Sequence, residues 1–94
     1  MYDVYAIRKD LPELALTVNG RPTTYLDTAA SALKPEAVVE KMMSFYRMHY
    51  SNVHRGAYYL SEQATAEYEK ARETVARFVN AGSREIVFTR SATE

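Results

Sequence analysis

The chain has 94 residues, 47% of them hydrophobic and 26% charged, with twelve basic side chains balanced by twelve acidic ones. A length of this order makes at most one small domain, and a neutral balance leaves no electrostatic footprint for nucleic acid or an anionic membrane. There is no apolar run long enough to cross a bilayer, no basic-then-apolar leader at Met1-Tyr2-Asp3-Val4, and no cysteine. Disulfides, thiolate metal sites and a cysteine nucleophile are thus excluded within these residues, and a cytoplasmic location is the default expectation.

Asp3 is placed to cap a short helix in which Val4, Ile7 and Leu11 recur at helical spacing, and Pro12 ends it. Leu14 to Val18 and Arg21 to Leu26 then flank Asn19-Gly20, the strongest short hairpin signal because that turn needs positive φ at both central residues. Pro22 weakens the start of the return strand. After Tyr25-Leu26-Asp27 the side chains become small, Thr28-Ala29-Ala30-Ser31-Ala32. Such a stretch is either a tight loop before the next helix or a place where backbone approaches a ligand. Pro35 suits a first helical turn, and Val38, Met42, Phe45, Tyr46 and His49 predict a helix from Pro35 to His49.

Tyr50 to Leu60 has no clean period. Its Asn52-Val53-His54-Arg55-Gly56 segment is either a functional loop or a solvated one. His49 and His54 have no third ligand at a recognisable spacing, so no metal site is expected. Ser61 is expected to cap the longest helix, running to about Asn80 on a packing stripe of Tyr68, Ala71, Val75, Phe78 and Val79, with Gly82 at its C′ position. Glu85 to Thr89 reads as a buried strand, apolar at its centre. It leads into Ser91 and Glu94, the spacing of a capping box that announces a helix. A strand feeding a helix start, with Ser and Thr hydroxyls and unpaired N–H groups, can seat a phosphate, although most such starts simply cap helices. The strand has no adequate partners in the chain and the announced helix does not follow. The expectation is therefore the front part of something longer.

These pieces together resemble one family. Tyr25 to Pro35 is similar to the opening of the Suf-type (group II) cysteine desulfurases, pyridoxal-phosphate enzymes of the class V aminotransferase family. Asn52-Val53-His54-Arg55-Gly56 resembles their "NVHRG" segment, and Glu85 to Glu94 resembles "E-I-V-F-T-(R/K)-G-(T/A)-T-E". The resemblance implies an α/β fold: residues 1–94 would be the N-terminal part of a PLP-dependent type I aminotransferase fold. Residues 1–35 would serve the small domain and active-site rim, residues 36–94 the start of the large domain, and Glu85–Thr89 its first sheet strand. It implies an L-cysteine substrate converted to alanine, pyridoxal 5′-phosphate as cofactor, a sulfur-acceptor protein serving iron–sulfur cluster assembly, and a homodimer.

Residue by residue, the resemblance assigns Ala92 and Thr93 to the cofactor phosphate, with Ala92 where Thr is frequent and Ser91 where Gly is usual. It assigns Ala29, Ala30 and His54 to the substrate pocket, and Arg55, Arg90 and Glu94 to the dimer interface. The family's cofactor lysine and persulfide cysteine match nothing here, so no catalytic residue is assigned and the 94 residues alone are expected to be inactive. Selenocysteine lyase and cysteine sulfinate desulfinase share these motifs. A non-catalytic partner of a full-length desulfurase, and a small independent helical domain, are the readings from other classes.

Overall fold

The computed structural model describes residues 1–94, which divide into two compact units, Met1–Arg47 and Met48–Glu94. The first unit begins with α1, Val4–Arg8, whose N-terminus is capped as expected: Asp3 Oδ1 accepts from the N–H groups of Tyr5 and Ala6. The helix stops at Arg8. Pro12 opens a 3-10 turn, Pro12–Ala15, because its fixed φ suits a first helical position. That turn consumes the front of the expected strand and leaves β1 as Thr17–Val18.

β1 pairs antiparallel with β2, Arg21–Pro22, in the register Val18 with Arg21 and Thr17 with Pro22. Asn19 and Gly20 have φ of 51° and 74°, the left-handed pair that a two-residue hairpin turn requires. Past Pro22, Thr23 extends the pairing, with both its N–H and its hydroxyl donating to Leu16 O.

The small-residue stretch is a tight loop. The N–H groups of Ala30 and Ser31 both donate to Asp27 O, and the Tyr25 hydroxyl reaches back to Ser31 O. Helix α2, Glu36–Ser44, follows and continues through a π-helical turn, Phe45–His49. The helical path thus spans the expected stretch, but Pro35 sits at the N-cap rather than inside the first turn. A proline cap has no side-chain acceptor, and the Asp10 carbonyl instead takes the orphan Glu36 N–H at 2.7 Å.

The second unit is built on α3, Tyr59–Phe78. Ser61 does not cap it: it is the third residue of the helix and wholly buried, while Tyr58 is the N-cap. Gly82 is not the C′ residue either. Asn80 takes the left-handed position at φ 56°, with Ala81 N–H bonded to Ala76 O and Asn80 N–H to Arg77 O, the paired bonds of a Schellman ending. Asparagine tolerates that conformation, so the helix closes two residues before the glycine, whose N–H donates instead to Glu85 Oε2.

Ser83–Glu85 is a further 3-10 turn packed against α3. The expected strand Glu85–Thr89 is not formed. Ile86 is extended (φ −97°, ψ 121°), but no strand lies beside the segment to complete a ladder. The buried residues are Ser61, Ala64 and Ala76, all on α3. The expected packing stripe lies largely open, Val75 being 39%, Phe78 90% and Val79 53% exposed. No helix is long and apolar enough to cross a membrane.

Candidate functional site: a histidine loop clasped to α3

Ser61, Thr65, Glu69 and Arg72 are spaced four, four and three apart, which lays them along one face of α3. The Asn52–Gly56 loop docks on that face. Ser61 Oγ donates to Asn52 O at 2.5 Å. Thr65 Oγ1 accepts the His54 N–H at 2.8 Å and its hydroxyl donates to Ser61 O at 2.8 Å. His54 has φ 66°, left-handed backbone that a non-glycine residue holds only when its surroundings insist on it.

The ring of His54 is held as firmly as its backbone. Nε2 lies 2.7 Å from Glu69 Oε1, and the ring meets Tyr68 edge-on at a centroid distance of 5.4 Å. Arg72 Nε donates to the other Glu69 oxygen, Oε2, at 3.0 Å, and Arg72 Nη1 donates to Ile86 O. The Arg72 guanidinium also lies 5.2 Å from the Tyr68 ring centroid and 5.4 Å from that of Phe88, and the two rings touch edge-on at 5.3 Å. One helix face therefore fastens both the histidine loop and the segment that leads to the chain's last residues. Gly56 completes the clasp: its lack of a side chain lets the loop close over Ser61 and Tyr58.

The Arg90–Glu94 turn departs from the expected capping box. Glu94 accepts from Arg90, through the backbone N–H at 2.7 Å and the guanidinium at 3.1 Å, rather than from Ser91 N–H. The longer-reaching contact wins because the Arg90 charge adds to the backbone bond. Ser91 Oγ accepts the Thr93 N–H and Ser91 O the Glu94 N–H, each at 3.3 Å. The Ala92 N–H and the Thr93 hydroxyl are engaged by no group of the chain.

Of the residues singled out from sequence, His54 stands at the centre of the clasp, and Ala92 and Thr93 sit in the terminal turn together with Arg90 and Glu94. Arg55 is exposed. Ala29 and Ala30 are exposed in the loop of the first unit. Sequence reasoning missed Thr65, Glu69 and Arg72. Their signal is the polar row at positions 61, 65, 69 and 72, which runs along the helix beside the apolar packing stripe. No group of three or more His, Asp or Glu side chains converges as a metal site would require.

Two carboxyls are shifted. The hydrogen bond from His54, helped by Arg72, holds Glu69 below the usual 4.5, and the bonds from Arg90 hold Glu94 below it as well. A depressed folded value means that the unfolded chain binds the proton more readily. The contribution of each carboxylate is therefore present above about pH 4.5 and is lost as pH falls through the lowered folded value. Acid titration followed by NMR should release the His54 loop in that acid window, and Glu69→Gln should remove the pH dependence of that release.

Known proteins share the stretch that carries these residues. The aminotransferase class-V family model matches residues 24–94. A cysteine desulfurase from Pectobacterium carotovorum is 53% identical over 94 residues, covering 99% of this chain and 23% of its own length. A probable cysteine desulfurase from Synechocystis is 54% identical over 89 residues, covering 94% of this chain and 21% of its own length. The solved apo structure of a cysteine desulfurase from Thermococcus onnurineus superposes with a TM-score of 0.75 at 40% identity, over 96% of this chain and 21% of that one. The chain thus spans about a quarter of the length of the curated relatives it matches.

Proposed function

The chain belongs to the class V aminotransferase family, and we propose that it supplies the N-terminal part of a Suf-type, pyridoxal-phosphate-dependent cysteine desulfurase. Such an enzyme removes sulfur from L-cysteine, leaves L-alanine, and passes the sulfur as a persulfide to an acceptor protein for iron–sulfur cluster assembly. The observation that carries this reading is the similarity to cysteine desulfurases across 99% of the chain at 53% identity, with the "NVHRG" loop and the terminal turn inside the matched region.

In this reading residues 1–35 serve the small domain and the active-site rim, and residues 36–94 begin the large domain. The Ala92 N–H and the Thr93 hydroxyl hold the cofactor phosphate. Bound pyridoxal phosphate supplies the electron sink that labilises bonds at the amino-acid α-carbon. The small side chains of Ala29 and Ala30 let backbone line the substrate pocket, and His54 stands at its mouth. Arg55, Arg90 and Glu94 lie toward the second subunit of a homodimer. The enzyme works in the cytoplasm.

The complete enzyme carrying this segment should release one alanine for each cysteine consumed, measured with a thiol reductant present. The 94 residues alone should release none. An inert complete enzyme, or alanine from the 94 residues alone, would overturn the reading. The departure at position 92 gives a further expectation. Ala92→Thr restores a second hydroxyl beside the phosphate and should tighten cofactor binding by about tenfold, the worth of one hydrogen bond to a charged oxygen. Equilibrium dialysis of the complete enzyme against pyridoxal phosphate measures it.

A further inference from the structure

The His54–Glu69–Arg72 chain has a direction. An ionised carboxylate only accepts hydrogen bonds, so a neutral imidazole whose Nε2 lies 2.7 Å from Glu69 Oε1 must carry its proton on Nε2. Glu69 is ionised at neutral pH, as a carboxylate held below 4.5 must be. Arg72 engages the second carboxylate oxygen and so fixes its plane. The His54 backbone is pinned by Thr65 and its ring orientation by Tyr68. Nδ1 meets no group of the chain, and the His54 side chain is 47% exposed. A merely solvated loop histidine would need none of these supports.

We propose that Glu69 is a positioning residue that holds His54 as its Nε2–H tautomer, leaving Nδ1 as the proton acceptor offered to the ammonium or thiol group of an amino-acid substrate. This deepens the desulfurase reading and rests on it for the identity of the substrate. Arg72 acts one step further out, by denying Glu69 the freedom to turn away.

The isosteric variant Glu69→Gln distinguishes this from a simple staple. Arg72 can only donate, so it selects the amide oxygen, and the amide NH2 then faces His54. Nε2 must become the acceptor, and the imidazole proton moves to Nδ1. Long-range nitrogen–proton NMR correlation on the histidine-labelled complete enzyme, above neutral pH, reads the tautomer directly. The wild type should show Nε2–H and Glu69→Gln should show Nδ1–H. In the same preparations kcat/KM for cysteine should fall by about a hundredfold or more, the scale of losing one proton-transfer partner, with cofactor content unchanged. A wild-type spectrum of mixed tautomers overturns the proposal without recourse to the variant. A clean inversion with unchanged kcat/KM overturns the acceptor role. A wild-type enzyme that is inert toward cysteine overturns the functional reading itself, which separates the two failures.

Discussion

Replacing Gly56 by alanine should destabilise the histidine loop by about 1–3 kcal/mol, the usual cost of forcing an extra carbon into a packed site. A Cβ at position 56 would fall within the Ser61 side chain and lie 2.7 Å from Tyr58 Cε1. Neither neighbour yields easily. Ser61 is 0% exposed and its hydroxyl is committed to Asn52 O, while the Tyr58 hydroxyl is bonded to Ser51 Oγ at 2.6 Å. Backbone strain plays no part, since Gly56 is not among the residues of positive φ. The collision is therefore local and reversible by design. Ser61→Gly in the Gly56→Ala background removes the nearer of the two obstructions and should recover part of the loss, a coupling that a double-mutant cycle in urea reads out. A single-variant effect within about 0.5 kcal/mol, the range of an ordinary surface change, would mean that the loop does not close over α3 as described.

Arg72→Met should cost about 2 kcal/mol or somewhat more. The variant keeps apolar bulk between Tyr68 and Phe88 but loses the charged hydrogen bond to Glu69, the bond to Ile86 O, and the cation–ring contacts. Charged hydrogen bonds are worth roughly 1.5–3 kcal/mol and cation–ring contacts about 0.5–1 kcal/mol where solvent reaches them, and the two do not simply add. The Arg72 side chain is 21% and that of Glu69 42% exposed, which places the total toward the lower end. Arg72→Lys restores charge without the planar fork that serves Glu69 and Ile86 together, so it should recover less than half. The signature that separates this from general destabilisation is spatial. Both the His54 ring and the Phe88 ring should lose their NMR contacts to Tyr68, because one guanidinium holds both sides. Loss on one side alone would show that the two attachments are independent.

Much of the local structure was legible in the residues themselves. Asp3 caps α1 and Asn19-Gly20 turns the hairpin because each feature depends on residues within a few positions. The 3.6-residue period located α2 and α3 for the same reason. The errors share a cause. Ser61 was expected at a cap because serine favours caps, but the Asn52 carbonyl offered its hydroxyl a buried partner. Gly82 was expected to end α3, but Asn80 could adopt the left-handed conformation first. The Glu85–Thr89 run has strand composition, yet a strand is a property of a pair, and the Ile86 carbonyl found Arg72 instead of a ladder partner.

The helices, the hairpin turn, the motifs carried by His54 and by Ala92-Thr93, and through them the family, are all readable from residue order. These rest on short-range sterics, periodicity and the identity of residues at fixed spacing. That His54 belongs with Glu69, fifteen positions away, and Ile86 with Arg72, fourteen away, emerges from the fold. Polar pairing across such separations depends on where an aperiodic loop returns to a helix face. That path is set by Gly56 closing over Ser61 and by the left-handed turn at His54, which no local propensity specifies.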